Sequence, residues 1–175
     1  SPSSYRSSLL STAGRAATGP WPQRALYPDA RLCYTLAMLG GLPFPLDDLL
    51  HQRSIESDRL EFKATWDEHI AGAVVETACA FANDLLNLNG GYILLGVEEQ
   101  AGQPVLPPRG LGGLDLDLVQ KKIHGACARI EPAYQPQLFV EYVGAAPLLI
   151  LWCPGGDNCF YQALMKRGEA KAYFV

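Results

Sequence analysis

The chain has 175 residues, a mass of 19.0 kDa, 49% hydrophobic and 18% charged residues, a net charge of −4 and a pI near 5.3. That composition argues against wholesale disorder, which goes with low hydrophobicity and high charge. The longest apolar runs, such as 92–95 and 147–152, are far too short to span a membrane. The acidic balance gives no bulk support to nucleic-acid binding, so any such surface has to be a local basic patch.

Residues 1–40 read as an irregular leader and 41–175 as the domain proper. The leader is rich in Ser, Gly, Pro, Ala and Arg and has weak aliphatic periodicity. Met38 is a candidate natural start, and Tyr34–Leu39 a short helix. Pro43 and Pro45 break it, and Leu46–His51 reads as a helical turn or two. From Arg59 to Lys63 the side chains alternate, with Leu60 and Phe62 on one face and Arg59, Glu61 and Lys63 on the other, as in a half-buried strand. Thr65–Glu68 fits a capping box, opening a helix that runs to about Asn83. Its stripe is Ile70, Val74, Ala78 and Phe81, with Val75, Cys79 and Ala82 beside it. Tyr92–Val97 is nearly continuous in apolar residues, which predicts a central strand covered on both faces.

A Gly/Pro loop is expected over 98–113. Leu116, Val119, Ile123, Cys127 and Ile130 mark a second amphipathic helix, with Asp115 as its cap. Strands are then predicted near 137–142, 148–152, 160–164 and 171–175. Because the chain stops mid-strand, a domain truncated at its C-terminal end is expected. The order describes an α+β domain, a mixed sheet with two main amphipathic helices. Five cysteines (33, 79, 127, 153, 159) include no C-x-x-C pair, and the three histidines lie off zinc spacing. Buried free thiols are the plain reading for Cys79 and Cys127. Phosphate-loop, dinucleotide-binding and nucleophile-elbow motifs are all absent.

The acids near the first two strands are more informative. Glu56 and Glu61 bracket the start of the first strand, and Glu98 and Glu99 follow the end of the second. Carboxylates gathered together repel unless a divalent cation neutralises them, and Mg²⁺ or Mn²⁺ so held can activate water for phosphoryl chemistry. Five residues apart on one strand puts Glu56 and Glu61 on opposite faces, so convergence needs a break at Ser57-Asp58. The competing reading is solvated surface acids.

Residues 55–63 (IESDRLEFK), 77–83 (TACAFAN) and 90–98 (GGYILLGVE) resemble the Schlafen/AlbA-like (AlbA_2) domain over about 46–175. Such domains stand at the N-terminus of bacterial regulators with a divergent ATPase part, and in animal Schlafen proteins. The resemblance implies an AlbA-like fold and a nucleic-acid-binding module of a transcriptional regulator, acting on DNA or RNA in the cytoplasm. The alternative is a Mg- or Mn-dependent endoribonuclease with Glu56, Glu61 and Glu98 as catalytic and metal-binding triad. Glu98 stands where the family nucleases have aspartate. A dimerisation or protein-interaction module is the third reading. Because those nucleases use two lobes and this chain supplies one, a homodimer is also implied.

On the binding reading, phosphate contacts are expected from Arg59, Lys63, Lys121, Lys122, Lys166, Arg167 and Lys171. Trp66, Tyr134, Trp152 and Tyr161 are candidates for base stacking, with core packing the stronger reading for Trp152.

Overall fold

The computed structural model describes residues 41–53, 55, 57–157, 160–164 and 171–174. The expected leader and its Tyr34–Leu39 helix lie outside them. The described chain runs α1 (Leu46–Leu50), a 3₁₀ turn (Ser57–Arg59), β1 (Leu60–Lys63), α2 (Ile70–Asn83), β2 (Gly91–Leu95), β3 (Glu99–Gln100) and β4 (Gln103–Pro104). It continues through α3 (Leu116–Cys127), β5 (Ile130–Glu131), β6 (Gln137–Val143), β7 (Ala146–Cys153), β8 (Gln162–Leu164) and β9 (Lys171–Tyr173). The α+β class read from the sequence is what the structure shows.

The main sheet has the order β1-β2-β7-β6. β1 runs parallel to β2, and the other neighbours are antiparallel. A smaller sheet, β5-β8-β9, gathers the C-terminal hairpin. β2 is buried at all five residues, as its unbroken apolar run requires of a central strand.

Strand alternation sorts the core into two layers. Ile93, Leu95, Leu149, Leu151 and Cys153 face α2 and α3, where Val74, Val75, Ala78, Ile123 and Cys127 meet them. Leu60, Phe62, Tyr92, Leu94, Leu148, Ile150 and Trp152 face the other way, against Phe44 and the Leu49 and Leu50 side chains of α1. Of the stripe predicted for α2, Val74, Val75, Ala78, Cys79, Phe81 and Ala82 are buried, and Ile70 is partly buried at its start.

Several boundaries differ from the sequence reading. The capping box is not formed. Asp67 instead accepts from the His69 and Ile70 amides at 2.8 and 3.0 Å, and the helix begins at Ile70. Ile130 continues the helical spacing of α3 but lies in β5, opposite Ala163. The Gly/Pro loop carries its own short hairpin, β3-β4. Asp115 does cap α3, its Oδ1 accepting from the Leu118 amide at 3.1 Å.

Cys79, Cys127 and Cys153 are free and buried. Burial pushes the Cys127 thiol from its ordinary 9.0 up to about 12, against an opposing pull from Arg129. Burial also raises Cys153, with Cys127 adding to the effect. Since the thiolate is the reactive form, both thiols should resist Ellman's reagent at pH 8 in the native protein and react in denaturant. Neutral burial also links stability to pH. That contribution is complete below the unfolded thiol's value and is lost as pH rises from about 9 toward 12. Thermal unfolding scanned over that range reads it.

The approach to β2 requires glycine. Gly90 has φ +72°, and a Cβ there would overlap the Cys153 carbonyl oxygen, which belongs to backbone and cannot swing away. Gly90→Ala should therefore cost more than the roughly 1–2 kcal/mol that a left-handed backbone alone imposes. A urea melt showing no loss would contradict the packing described.

Candidate functional site: a cleft beside the edge strand

The break that the Glu56/Glu61 spacing demands is present: the chain turns through Ser57–Arg59 before β1 begins. Glu56 itself lies outside the described residues. Glu61 faces the helical layer from β1, registered opposite Ile93. It helps line a cleft of about 550 Å³ between β1, α2 and the loop after α2, together with Asp58, Arg59, Glu76 and Asp84. Leu85 and Leu86 stand exposed at its rim, 65% and 73% accessible.

Arg59 corrects the sequence reading. It was expected on the exposed face with Lys63, but it precedes the strand, within the 3₁₀ turn, and is 9% accessible. Its Nη2 donates to Asp84 Oδ1 at 2.8 Å, and its Nε has no partner among the described residues. Asp84 also accepts from the Leu88 and Gly90 amides at 2.9 and 3.1 Å. This arginine is thus paired with Asp84 at the entry to β1 and does not share an exposed strand face with Lys63.

Lys63 is half-buried and pairs with Glu61 on the same strand. Glu98 follows the end of β2, three residues past Leu95, and its carboxylate lies 3.6 Å from Arg109. It is not among the residues lining the cleft that holds Glu61. Glu61 and Glu98 thus have different cations beside them. Among the described residues no group of three His, Cys, Asp or Glu side chains could hold a metal ion. On their own the described residues do not supply a Mg²⁺ or Mn²⁺ site.

Of the expected basic residues, Lys121 and Lys122 are exposed on α3, with Lys122 Nζ 3.6 Å from Glu68. Lys171 opens β9, opposite Leu164. Lys166 and Arg167 lie outside the described residues. The expected stacking aromatics are a second correction. Trp66, Tyr134, Trp152 and Tyr161 are all core residues, between 2% and 8% accessible. The Tyr134 hydroxyl donates to the Pro154 carbonyl at 2.7 Å, and its ring meets Tyr161 edge-on.

Among the described residues the aromatics that do face solvent were missed: Tyr142 (62%), Phe160 (67%) and Tyr173 (61%). Phe160 and Tyr173 stand edge-to-face beside the C-terminal hairpin, ring centres 6.4 Å apart. Phe160 has φ +69°, a region bulky side chains avoid. A turn-rich segment just before Phe160 was the available signal, since rings there escape the strand alternation that buries Tyr161.

Comparison with known proteins fits this architecture. The family profile "Schlafen, AlbA_2" matches residues 56–173, well over half of the chain. The chain belongs to the Schlafen AlbA_2 family. A solution structure of the N-terminal domain of a protein related to the ATP-dependent DNA helicase RecG, from Nitrosomonas europaea, is 33% identical. That match covers 73% of this chain and 87% of the other, with a TM-score of 0.52. The DIP2311 protein of Corynebacterium diphtheriae is 16% identical, with a TM-score of 0.41, over 66% of this chain and 22% of that one. No curated protein matches the chain. Among the described residues no helix is long and apolar enough to cross a membrane.

The Arg59–Asp84 pair generates a directional prediction. Asp84→Ala strands a buried guanidinium and two amide donors, and should cost about 3–5 kcal/mol. Arg59→Met leaves Asp84 its two amide donors and should cost less. Urea unfolding of the two variants measures the order, and equal losses would remove Asp84 from its central place.

Proposed function

We propose that this domain binds nucleic acid, holding phosphates on the basic residues of α3 and the C-terminal hairpin and stacking unpaired bases on Phe160 and Tyr173. The observation that carries the reading is the exposed Phe160–Tyr173 pair, two large rings outside the core. Every base has a π-face, so stacking platforms of this kind are sequence-tolerant. The chain's connectivity supports a shared surface. α3 leads directly into β5, which pairs with β8, which pairs with β9. The likeness to a DNA-helicase-related N-terminal domain points to the same class of ligand. The net charge of −4 is no obstacle, because phosphate contacts are local. Service as a module of a regulator fits such a binding role.

Fluorescence anisotropy with labelled single-stranded DNA and RNA tests this. Phe160→Ala and Tyr173→Ala should each weaken binding by about 1–3 kcal/mol, roughly 5- to 150-fold. Lys121→Ala with Lys122→Ala should lower the salt slope by roughly one unit per lost contact. Affinity that ignores both the rings and the salt concentration would end the proposal. The same probes on a denaturing gel, with and without Mn²⁺ and with Glu61→Gln alongside the parent chain, read whether the domain hydrolyses the strand through Glu56, Glu61 and Glu98.

A further inference from the structure

We infer that two copies of this chain pair antiparallel along β6, with the two-fold axis at Val140, so that two four-stranded sheets become one. The inference is independent of the nucleic-acid reading. The main sheet has two edges, β1 and β6, and an edge offers unpaired N–H and C=O groups to any incoming strand. β1 is four residues long and carries Glu61 and Lys63 on its helix-facing side, the kind of charge that discourages addition. β6 is seven residues long, reads QLFVEYV, and holds a single charge, Glu141. Among the described residues β6 pairs with β7 alone. Two of its apolar side chains, Val140 and Tyr142, project to the same side and are 36% and 62% accessible.

The sequence of β6 selects a second copy as the occupant because it is complementary to itself. With Val140 opposite the partner's Val140, Tyr142 meets the partner's Leu138 and Leu138 meets the partner's Tyr142. All seven residues of each strand are then paired, and the exposed apolar side chains are covered by the same set. On the other side Glu141 lies opposite the partner's Phe139. The two Glu141 carboxylates are then diagonal neighbours, about 7–8 Å apart, and not directly opposed. Neighbouring registers are worse. An axis at Glu141 puts like charges face to face, which is destabilising. An axis at Phe139 leaves Tyr142 beyond the end of the pairing.

Light scattering on the 175-residue chain, over a dilution series from micromolar to hundred-micromolar, should show a species of twice 19.0 kDa at the upper end. Val140→Lys should abolish that species while leaving the far-UV circular dichroism unchanged. Val140→Cys should give a disulfide-linked dimer on mild oxidation, beyond any formed by the parent chain treated alike. This second variant decides the matter if the lysine variant misfolds. A monomer at every concentration overturns the inference. So does a dimer that survives Val140→Lys with native dichroism, or Val140→Cys that cross-links no more than the parent.

Discussion

Two adjacent residues at the end of α2 hold the separate parts of this domain together. Asp84 ends the helix with φ 18° and ψ 55° and turns its carboxylate inward. There it gathers the Arg59 guanidinium and the Leu88 and Gly90 amides. Those three groups belong to the entry into β1 and the entry into β2, which are the two parallel strands. Asn83 reaches the other way. Its side chain accepts from the Tyr161 amide at 2.6 Å and donates to the Tyr161 and Phe174 carbonyls at 3.0 and 2.6 Å. One helix terminus thus fixes the edge of the main sheet and the C-terminal hairpin together. Low-dielectric surroundings strengthen such satisfied polar groups and make any orphaned one costly, so the arrangement specifies one geometry.

The consequence for the surface is a division of labour. Charges near α2 are spent internally or paired locally: Arg59 with Asp84, Lys63 with Glu61 and Glu98 with Arg109. The cleft that Arg59, Glu61 and Asp84 help line is acidic and framed by the exposed leucines of the loop after α2. Exposed lysines stand on α3 instead, and solvent-facing rings stand beside β8 and β9. A domain with a net negative charge therefore still carries exposed lysines on α3, away from its acidic cleft.

Much of this was legible in the sequence, and what was not has identifiable causes. The central position of β2 followed from its unbroken apolar run, and the stripe of α2 from its helical period. The cap at Asp115 followed from residue type and position. Arg59 was misplaced because alternation was extended one residue too far. The 3₁₀ turn resets its direction, and its partner lies 25 residues away, where no local pattern reaches. Ile130 kept the period of α3, but pairing with Ala163 decided its state. The aromatics inverted for a related reason. Trp66, Tyr134 and Tyr161 look half-polar in sequence yet are covered from across the fold, which periodicity within one element does not record.

The acidic triad shows how far spacing can go. Glu56 and Glu61 needed a turn between them, and the turn exists. Glu98 posed a different requirement, since it depends on how strands β1 and β2 are registered. The parallel pairing sets Lys63 beside Leu95, and the Gly96 and Val97 amides both donate to the Lys63 carbonyl, at 2.8 and 3.1 Å. β2 therefore bends around the end of β1 just before Glu98. Val97 is fully buried in the layer opposite the helices, which fixes the path of the chain there. The freedom left to Glu98 is that of its own side chain, and Arg109 already lies 3.6 Å from its carboxylate. Any ligand that draws Glu61 and Glu98 together has to compete with two existing ion pairs, Glu61–Lys63 and Glu98–Arg109. Because both acids are partly exposed, at 32% and 46%, those pairs are weak competitors, on the scale of surface salt bridges.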